Sequence, residues 1–443
     1  MSIDFALEQI RNSSKKRGGL GLDRMKRLLE LLGNPESRLK VIHIAGTNGK
    51  GSIGRFIFHI LRESGYNVAI YTSPHLEKYN ERFEINGEYI SDEEFTDLTN
   101  EIVKMNPILE NEGFGYLSEF EILTAIAYIY FSRKAPDFTI LETGIGGRID
   151  MTNVIEKPLI TIISEIGFDH TAALGNTIPQ IAYQKAGIIK NQVPIVSGTT
   201  DGEARQVIAG VAKAKDADMI DASAGKYEIK NIFPVTEFKA HIAGIEETEF
   251  RIGLLGEHQI RNAITSICSI LELKRRNIIN ASSKKILRGL EKTKNPGRFE
   301  IISTEPYVIL DGAHNMQGVE QAMNAFEYAI KRIRPTKIAI IYGCFIDKEY
   351  EKIAKHISKT CDKINVDKID IIVTEPESDR ALGSSRLADI FRKYGIAARS
   401  IPKPVDAAKT AISEGNNIIL FLGSIYLIGE VRKFFKKGWK ENV

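Results

Sequence analysis

Cysteine is scarce in this sequence, and its scarcity excludes two kinds of site. The 443 residues include three cysteines, Cys268, Cys344 and Cys361. They lie far apart, and no pair has the C-x-x-C spacing of a zinc or redox site. So few thiols also make a disulfide framework a poor interpretation, which is typical of a reducing compartment. We therefore expect buried, reduced thiols with no part in the chemistry.

The sequence also lacks an excess of either charge and any apolar run long enough to span a membrane. Lysine and arginine total 60, aspartate and glutamate total 57, and the net charge is +3. Without a basic block, the composition predicts neither a nucleic-acid partner nor a membrane partner, while small anionic ligands remain open. Because the sequence begins without a basic-then-apolar leader, we expect an unprocessed, cytoplasmic protein.

What the sequence does have is a regular alternation of β-branched runs with amphipathic helical stretches, which predicts parallel sheets covered by helices. The predicted strands are 39–42, 68–71, 137–142, 159–164 and 193–197, then 308–310, 338–342, 369–374 and 418–422. A polar, proline-containing segment at 292–297 separates the two series. We predict an α/β fold with an N-terminal P-loop ATPase-type domain (1–295), whose sheet is mostly parallel, and a smaller C-terminal Rossmann-like domain (296–443).

The most specific local pattern is a glycine-rich turn between a predicted strand and a predicted helix at 52–64. The turn reads Gly46, Thr47, Asn48, Gly49, Lys50, Gly51 and Ser52. Small residues let backbone N–H groups converge on phosphate oxygens, Lys50 adds a positive charge, and the Ser52 hydroxyl can ligate Mg²⁺. The general G-x-x-x-x-G-K-[ST] pattern requires glycine at Ile44 and serine or threonine at Gly51, so this is a distinct variant. It predicts a phosphate-binding loop rather than a plain tight turn.

Four further polar residues can each be interpreted either as functional or as purely structural. Glu142 and Asp311 follow apolar strands, and ligands gather at the carboxyl ends of such strands. Alone, however, Glu142 could be a surface carboxylate, and Asp311 could form an Asx-type turn with His314. A single histidine such as His170 is usually a satisfied core residue, and Lys185, on a predicted helix at 178–186, would ordinarily be a solvated charge.

A series of motifs in one order resembles folylpolyglutamate synthase and dihydrofolate synthase of the Mur ligase superfamily. The motifs cover almost the whole chain, in the segments 46–52, 71–76, 80–83, 120–125, 142–150, 169–170, 185–190, 258–263, 297–300, 311–315 and 423–427. Two mild departures occur. Met316 stands where the family usually has proline, and Glu349 stands where an aspartate is common. Neither departure affects a residue with a chemical role.

The resemblance implies an enzyme that uses ATP to phosphorylate a substrate carboxylate, after which an amine attacks the acyl phosphate to give an amide, ADP and phosphate. By resemblance, residues 1–295 form the ATP-binding central domain and 296–443 the glutamate-ligase domain. The catalytic residues are Lys50, Glu142, His170 and Lys185. Two Mg²⁺ ions are implied, with Ser52, Glu142, His170 and Lys185 as ligands. Imidazole is an unusual Mg²⁺ ligand, and Lys185 would need to be carbamylated by CO₂.

The resemblance also assigns binding residues outside the loop. Asn262, Arg298, Asp311 and His314 are implied to contact the nucleotide together with the loop residues. Ser73, His75 and Phe120 belong to segments that line or approach the folate or pteroate, although an aromatic ring such as Phe120 is more often a core residue. The implied partners are small molecules, namely ATP, L-glutamate and a folate or dihydropteroate, and the implied state is a monomer.

Several functions remain open. Glutamate addition to dihydropteroate, giving dihydrofolate, and extension of the glutamate tail of folate fit equally, and one protein could do both in folate biosynthesis and one-carbon metabolism. A Mur-type ligase acting on another carboxylate, such as a cell-wall precursor, is disfavoured by Gly51 and by the Phe120–Glu121 segment. A nucleotide-binding regulatory protein without catalysis is disfavoured by four intact residues, namely Lys50, Glu142, His170 and Lys185.

Overall fold

The computed structural model describes residues 3–16, 21–246 and 248–439. The chain divides into two compact units. The first comprises Met1–Gly225, Ile242–Glu246 and Arg261–Leu290, and the second comprises Lys226–His241, Glu247–Ile260 and Glu291–Val443. Among the helices of the described residues, none is both long enough and apolar enough to cross a membrane.

The first unit is built on an eight-stranded sheet. Its strands are β1 (Val41–Ala45), β2 (Val68–Tyr71), β3 (Phe83–Ile85), β4 (Glu88–Tyr89), β5 (Phe138–Glu142), β6 (Ile160–Ile163), β7 (Ile195–Ser197) and β8 (Met219–Asp221). The order is β4-β3-β2-β5-β1-β6-β7-β8. Only the pairs of the β2–β3–β4 edge are antiparallel. Because β1 lies between β5 and β6, the carboxyl ends of these three strands meet in the middle of one sheet edge.

Helices cover this sheet, and two of them begin at serine caps. They are α1 (Ile3–Lys15), α2 (Leu22–Leu31), α3 (Lys50–Glu63), α4 (Asp92–Val103), α5 (Asn106–Asn111), α6 (Glu119–Lys134), α7 (Thr171–Leu174), α8 (Ile178–Lys185), α9 (Gly202–Ala214), α10 (Glu257–Arg275) and α11 (Ser283–Lys292). The last two helices continue across the division between the units. Ser91 caps α4, and Ser118 with Glu121 forms a capping box at α6. Both starts have the Ser-x-x-Glu spacing that predicts a capping box from sequence, and the structure confirms these two helix starts.

The second unit contains two sheets. A three-stranded antiparallel sheet consists of β9 (Tyr227–Asn231), β10 (Thr236–Ala240) and β11 (Glu249–Ile252). A six-stranded sheet has the order β12-β13-β17-β14-β15-β16. Its strands are β12 (Glu300–Thr304), β13 (Tyr307–Asp311), β14 (Lys337–Tyr342), β15 (Lys368–Val373), β16 (Ala398–Ser400) and β17 (Ile418–Leu422), and its helices are α12 (Met316–Ile333), α13 (Tyr350–Cys361), α14 (Ser384–Lys393), α15 (Pro404–Ser413) and α16 (Ile425–Lys436).

The predicted α/β class and the mostly parallel N-terminal sheet are confirmed. The division into compact units nevertheless differs from the single predicted boundary at 295/296, because residues 226–241 and 248–260 group with the C-terminal unit. Phe233 and Leu255 from those segments are buried in the hydrophobic core of the six-stranded sheet. The short strands β9–β11 were absent from the sequence prediction, and the domain assignment itself stays a prediction.

A buried ion pair joins α2 to the start of α6. The Arg24 guanidinium donates to both carboxylate oxygens of Glu121 at 2.7 Å, and it also donates to the Phe114 carbonyl at 2.9 Å. Both side chains are almost fully buried. On the same helix, Arg27 donates to both carboxylate oxygens of Glu112 in a pair that is about one-third exposed.

This difference in burial predicts different consequences for two matched substitutions. Arg24→Met leaves the Glu121 carboxylate buried without its partner, so the free energy of unfolding should fall by about 3–5 kcal/mol. Arg27→Met removes a solvated pair and should change stability little. Urea denaturation of both variants measures the difference. Equal stability of the two variants would show that the Arg24–Glu121 pair has no special importance for the fold.

Candidate active site

The loop between β1 and α3 has a backbone that only glycine can adopt at two positions. Gly46 has φ +149°, and a Cβ built there would lie 1.8 Å from the Ser164 Oγ. Gly49 has φ +89°, and its Cβ would lie 2.4 Å from the Asn262 Oδ1. Any side chain at either position would collide with a neighbouring residue. The loop is therefore a specific conformation fixed by contacts.

Residues that follow β6 hold the first half of the loop. The Thr47 and Asn48 N–H groups donate to the Glu165 carbonyl at 2.8 and 3.3 Å. The Ser164 hydroxyl donates to the Asn48 carbonyl at 2.7 Å, and the Thr47 hydroxyl donates to the Gly167 carbonyl at 3.0 Å. Beyond this anchored half, α3 begins at Lys50. The N–H groups in the first turn of a helix have no intrahelical acceptor, and the positive end of the helix dipole favours an anion there.

Two lysine side chains converge on the carbonyl oxygen of Gly46. The Lys50 Nζ donates to it at 3.1 Å and to the Thr47 carbonyl at 3.2 Å. The Lys185 Nζ donates to the same Gly46 oxygen at 2.7 Å. Lys185 is 4% exposed. Burial, followed by the positive charge of Lys50, lowers the pKa of Lys185 to about 7. Lys185 is therefore a buried group beside the loop and not the solvated charge that a lysine on a helix ordinarily is.

Glu142 lies next to the loop, as predicted. It is the last residue of β5, is paired in register with Ile44 of β1, and is buried. The segment after it is tied to the end of α8, because the Arg148 N–H donates to the Gln184 carbonyl at 2.7 Å. A Cβ on Gly147 would lie 2.8 Å from the Lys185 carbonyl oxygen. Glu142 and Lys185 thus belong to segments that are in close backbone contact.

A buried hydrogen-bonded chain lies behind this segment. The Asp150 carboxylate accepts from the Ile145 N–H at 2.9 Å and from the Thr152 hydroxyl at 2.5 Å. The Thr152 Oγ1 also lies 2.8 Å from the His43 Nε2. Burial lowers the pKa of His43 to about 3, so this imidazole is neutral. The chain joins β1, which leads into the loop, to the segment that follows Glu142.

His170 is positioned by backbone geometry rather than by burial. It precedes α7 with φ +49°, and its side chain is 41% exposed. The Asp169 carboxylate accepts from the His170 N–H at 2.9 Å, and the Asp169 Oδ2 lies 3.8 Å from the His170 Nε2. The interpretation of His170 as a satisfied core histidine is therefore wrong.

The residues assigned to the folate side are connected to each other. The Phe120 ring covers Gly144, where a Cβ would lie 2.4 Å from the ring, two residues after Glu142. His75 accepts from the Arg82 Nε at 3.1 Å, and its ring packs against the Tyr79 ring at a tilt of 38°, with centroids 4.2 Å apart. The Tyr79 hydroxyl donates to Glu119, the neighbour of Phe120, at 3.1 Å. Ser73 lies in the same turn as His75, before Pro74.

In the second unit, three predicted residues form one cluster. Asp311 ends β13, and its two carboxylate oxygens accept from the Ala313 and Phe299 N–H groups at 2.8 Å each. Burial raises the pKa of Asp311, while the charge of Arg298 opposes that rise. The Arg298 guanidinium lies 3.0 Å from the position of a Cβ on Gly312, and the His314 Nδ1 lies 3.0 Å from the Gly312 carbonyl. Asn262 belongs to the first unit, against Gly49.

Comparison with known proteins agrees with this geometry. The Mur ligase middle domain matches residues 44–270, and the Mur ligase glutamate ligase domain matches residues 297–425. A dihydrofolate synthase/folylpolyglutamate synthase of Bacillus subtilis is 39% identical, over 94% of this chain and 95% of that protein. This chain belongs to the folylpolyglutamate synthase/dihydrofolate synthase family of Mur ligases.

Solved structures of the family share the architecture. The folylpolyglutamate synthase of Thermotoga maritima is similar at a TM-score of 0.83 and 32% identity, covering 98% of this chain and 97% of that one. FolC of Escherichia coli, in complex with DHPP and ADP, is similar at a TM-score of 0.81 and 26% identity, covering 99% and 98%. As a member of the Mur ligases, the chain is a ligase, and the predicted family is confirmed.

The donor atoms of this family member fit one metal ion better than a second. Ser52 and Glu142 are buried and offer oxygen atoms, which Mg²⁺ prefers. Lys185 as an ammonium has no free electron pair and does not fit a cation site, whereas a carbamate on Lys185 would present oxygen atoms. Within the described ranges, no cluster of three or more histidine, cysteine, aspartate or glutamate side chains could hold a metal ion. The ligand assignments of Ser52, Glu142, His170 and Lys185 stay predictions.

Sequence reasoning missed the residues that shape the site of this ligase without belonging to its best-known motifs. Ser164 and Glu165 hold the loop, and Glu165 is itself fixed because its carboxylate accepts from Thr199 and Thr200. His43 and Thr152 support Asp150. Ser164 and Glu165 could have been suspected only from their position in the sequence, because they directly follow β6, the strand that pairs with β1 before the loop.

Proposed function

We propose that this enzyme uses ATP to ligate L-glutamate to the carboxylate of a folate or of dihydropteroate through an acyl phosphate. The observation that carries the proposal is the convergence of Lys50 and Lys185 on the Gly46 carbonyl, with Glu142 on the adjacent strand end. A glycine-rich loop, a helix N-terminus and the Lys50 cation in one place favour a polyphosphate. The names of the Bacillus subtilis and Thermotoga maritima relatives supply the acceptor class.

The first step is transfer of the γ-phosphoryl group of ATP to the acceptor carboxylate. In phosphoryl transfer the protein mainly positions the groups and stabilises charge. The Lys50 side chain leaves the loop carbonyls to which it now donates and neutralises the β- and γ-phosphates. The first-turn N–H groups of α3 bind phosphate oxygens. Asn262, packed against Gly49, is assigned to the nucleotide as well.

A bound Mg²⁺ would neutralise part of the phosphate charge during phosphoryl transfer. Ser52 and Glu142 would hold the first ion. Glu142 ends β5, and Ser52 lies in the first turn of α3, the helix that follows the partner strand β1. His170, Asp169 and a carbamylated Lys185 would serve the second ion. Asp169 enters this set because its carboxylate interacts with both His170 and Lys185.

Carbamylation of Lys185 is the modification that its surroundings favour. The reaction joins the neutral amine to CO₂ and releases one proton, so a buried amine with a lowered pKa is suited to it. The product would replace a buried cation beside Lys50 by an anion, and so it would convert repulsion between two cations into attraction. A monomeric state and a cytoplasmic location stay predictions for this enzyme.

The acceptor is proposed to lie against Phe120 and His75. Phe120 covers the backbone two residues beyond Glu142, and the Tyr79–Glu119 hydrogen bond joins the two segments. An aromatic ring at that place suits a flat heterocyclic or benzoyl group. After the carboxylate is phosphorylated, the amino group of glutamate attacks the acyl carbon. The C–N bond forms, the bond to phosphate breaks, and the amine proton is released.

Product analysis tests the proposed activity. The enzyme receives ATP, Mg²⁺ and labelled glutamate with dihydropteroate in one reaction and with tetrahydrofolate in another. We expect label in dihydrofolate, in a lengthened glutamate tail, or in both, with one ADP formed for each glutamate. A ligase for another carboxylate, such as a cell-wall precursor, predicts no labelled product from either acceptor. ADP release without any acceptor would contradict a ligase.

Replacing Lys50 by alanine should abolish turnover and leave the fold intact. The substitution removes a charge from the site of phosphate transfer, and Lys50 is only partly buried. Loss of one such electrostatic contact should raise the barrier by about 3 kcal/mol or more, a rate decrease of about a hundredfold or greater. The measurement is the rate of glutamate ligation, with circular dichroism as the folding control. Nearly normal ligation would contradict the role of the loop.

Replacing Lys185 by alanine should remove most activity, and acetate or formate should restore part of it. The variant loses an anionic group and leaves a gap that a small carboxylate can enter. Lys185→Arg should stay inactive, because a guanidinium remains protonated and is not carbamylated.

Lys190 provides a matched control for carboxylate rescue. It is partly buried, has a pKa that burial lowers to about 8, and donates to the Asn153 carbonyl at 3.1 Å. Any activity lost in Lys190→Ala should not return with acetate. Full activity of Lys185→Arg, or failure of carboxylates to rescue Lys185→Ala together with an unmodified amine by mass spectrometry, would overturn the carbamate while the ligase assignment stands.

A further inference from the structure

The turn that carries Arg298 is held by carboxylates on both sides. The Gly297 N–H donates to the Glu300 Oε2 at 2.8 Å, and the Phe299 N–H donates to the Asp311 Oδ2 at 2.8 Å. Phe299 has φ +45°, and its side chain is buried. A bulky residue in the left-handed region is strained and persists only where its surroundings fix it. The direction of Arg298 therefore depends on these two carboxylates.

Glu300 is itself fixed by a residue far away in sequence. The Arg432 Nε of α16 donates to both Glu300 carboxylate oxygens, at 3.0 and 2.8 Å, and a terminal nitrogen of Arg432 donates to the Oε1 at 2.9 Å. Arg432 is 12% exposed and Glu300 is 21% exposed. An arginine that grips both oxygens of a carboxylate restricts its orientation more than a single contact does. One of these oxygens is the acceptor of the Gly297 N–H.

The end of β13 completes the support. The Gly312 N–H donates to the Gly297 carbonyl at 2.9 Å. A Cβ on Gly312 would lie 3.0 Å from the Arg298 guanidinium. The absence of a side chain at Gly312 therefore leaves room for the arginine side chain. Hydrogen bonds to Glu300 and Asp311 thus fix the backbone on either side of Arg298, and Gly312 leaves room for its side chain.

We propose that the Glu300–Arg432 ion pair is a positioning device that holds Arg298 in the conformation that binds nucleotide phosphate. The inference rests on the proposed function of Arg298 and adds residues to which the resemblance gives no role. Phosphate recognition by a guanidinium requires the planar group to meet the oxygens in the correct orientation. Glu300 and Arg432 would thus act only by positioning Arg298 and would not themselves contact the reacting atoms.

The proposal predicts that loss of Arg432 impairs ATP use without loss of the fold. Arg432→Gln releases Glu300 from its two-oxygen grip, and misplacement of Arg298 should lower kcat/KM for ATP between about tenfold and a hundredfold. In the same variant, the KM for glutamate should change by no more than about twofold. Arg432→Lys keeps the charge but loses the fork geometry, so its defect should be intermediate.

A double-mutant cycle distinguishes positioning from a general structural effect. Arg298→Ala alone should impair ATP use, and adding Arg432→Gln to Arg298→Ala should cause no further loss, because the arginine that is to be positioned has gone. Arg399→Gln is the matched control. It breaks another two-oxygen arginine–carboxylate pair of the same unit, with Glu414, and should leave the KM for ATP unchanged.

The outcomes separate the inference from the function on which it rests. Normal ATP use by Arg298→Ala would overturn the phosphate role of Arg298, and the positioning proposal with it. An impaired Arg298→Ala with a normal Arg432→Gln, or with fully additive losses in the double variant, would overturn only the positioning proposal. If Arg432→Gln does not fold by circular dichroism, Arg432→Lys takes its place in the cycle under the same criteria.

Discussion

The phosphate-binding loop has no space for a side chain at Gly46, and the arrangement of the candidate active site depends on this constraint. The Gly46 Cα faces the Ser164 side chain, and its carbonyl oxygen accepts from two lysines. One lysine belongs to the helix that follows the loop, and the other ends a helix more than a hundred residues later in the sequence. A side chain at this glycine would displace the loop from β6 and would separate the two cations. Helix dipole, lysine charge and neighbouring carboxylates act together only because this backbone position is bare.

The arrangement of charge explains why a buried lysine is tolerated here. Lys185 is buried beside a second cation, and this raises the cost of keeping it protonated. Three changes would reduce that cost, namely loss of the proton, binding of an anion and conversion of the amine to a carbamate. A polyphosphate at the loop would offset the charge of a protonated Lys185, whereas a carbamate would remove that charge and attract Lys50. The carboxylates of Asp150 and Asp169 favour the protonated amine, because they oppose the lowering of the Lys185 pKa.

Local patterns in the sequence predicted much of the fold and part of the site. Buried strands such as β2 and β17, the Ser118 capping box and the loop glycines are determined by neighbours in the chain, so periodicity and turn chemistry identify them. The antiparallel strands β9–β11 are short and partly exposed, and their apolar signal is weak. Ser164, His43 and Arg432 act on residues more than a hundred positions away, and a single sequence carries no record of such pairings.

Isothermal titration calorimetry of ADP binding to Gly46→Ala, in the presence of Mg²⁺, tests whether Gly46 organises the phosphate site. Gly202→Ala is the control, because a Cβ at that helical glycine meets no atom within 4 Å. Gly202→Ala should bind ADP as the unmodified enzyme does. Gly46→Ala should keep its helical content by circular dichroism but bind ADP at least about a hundredfold more weakly. Unchanged ADP affinity in a folded Gly46→Ala would contradict the claim that this glycine organises the phosphate site.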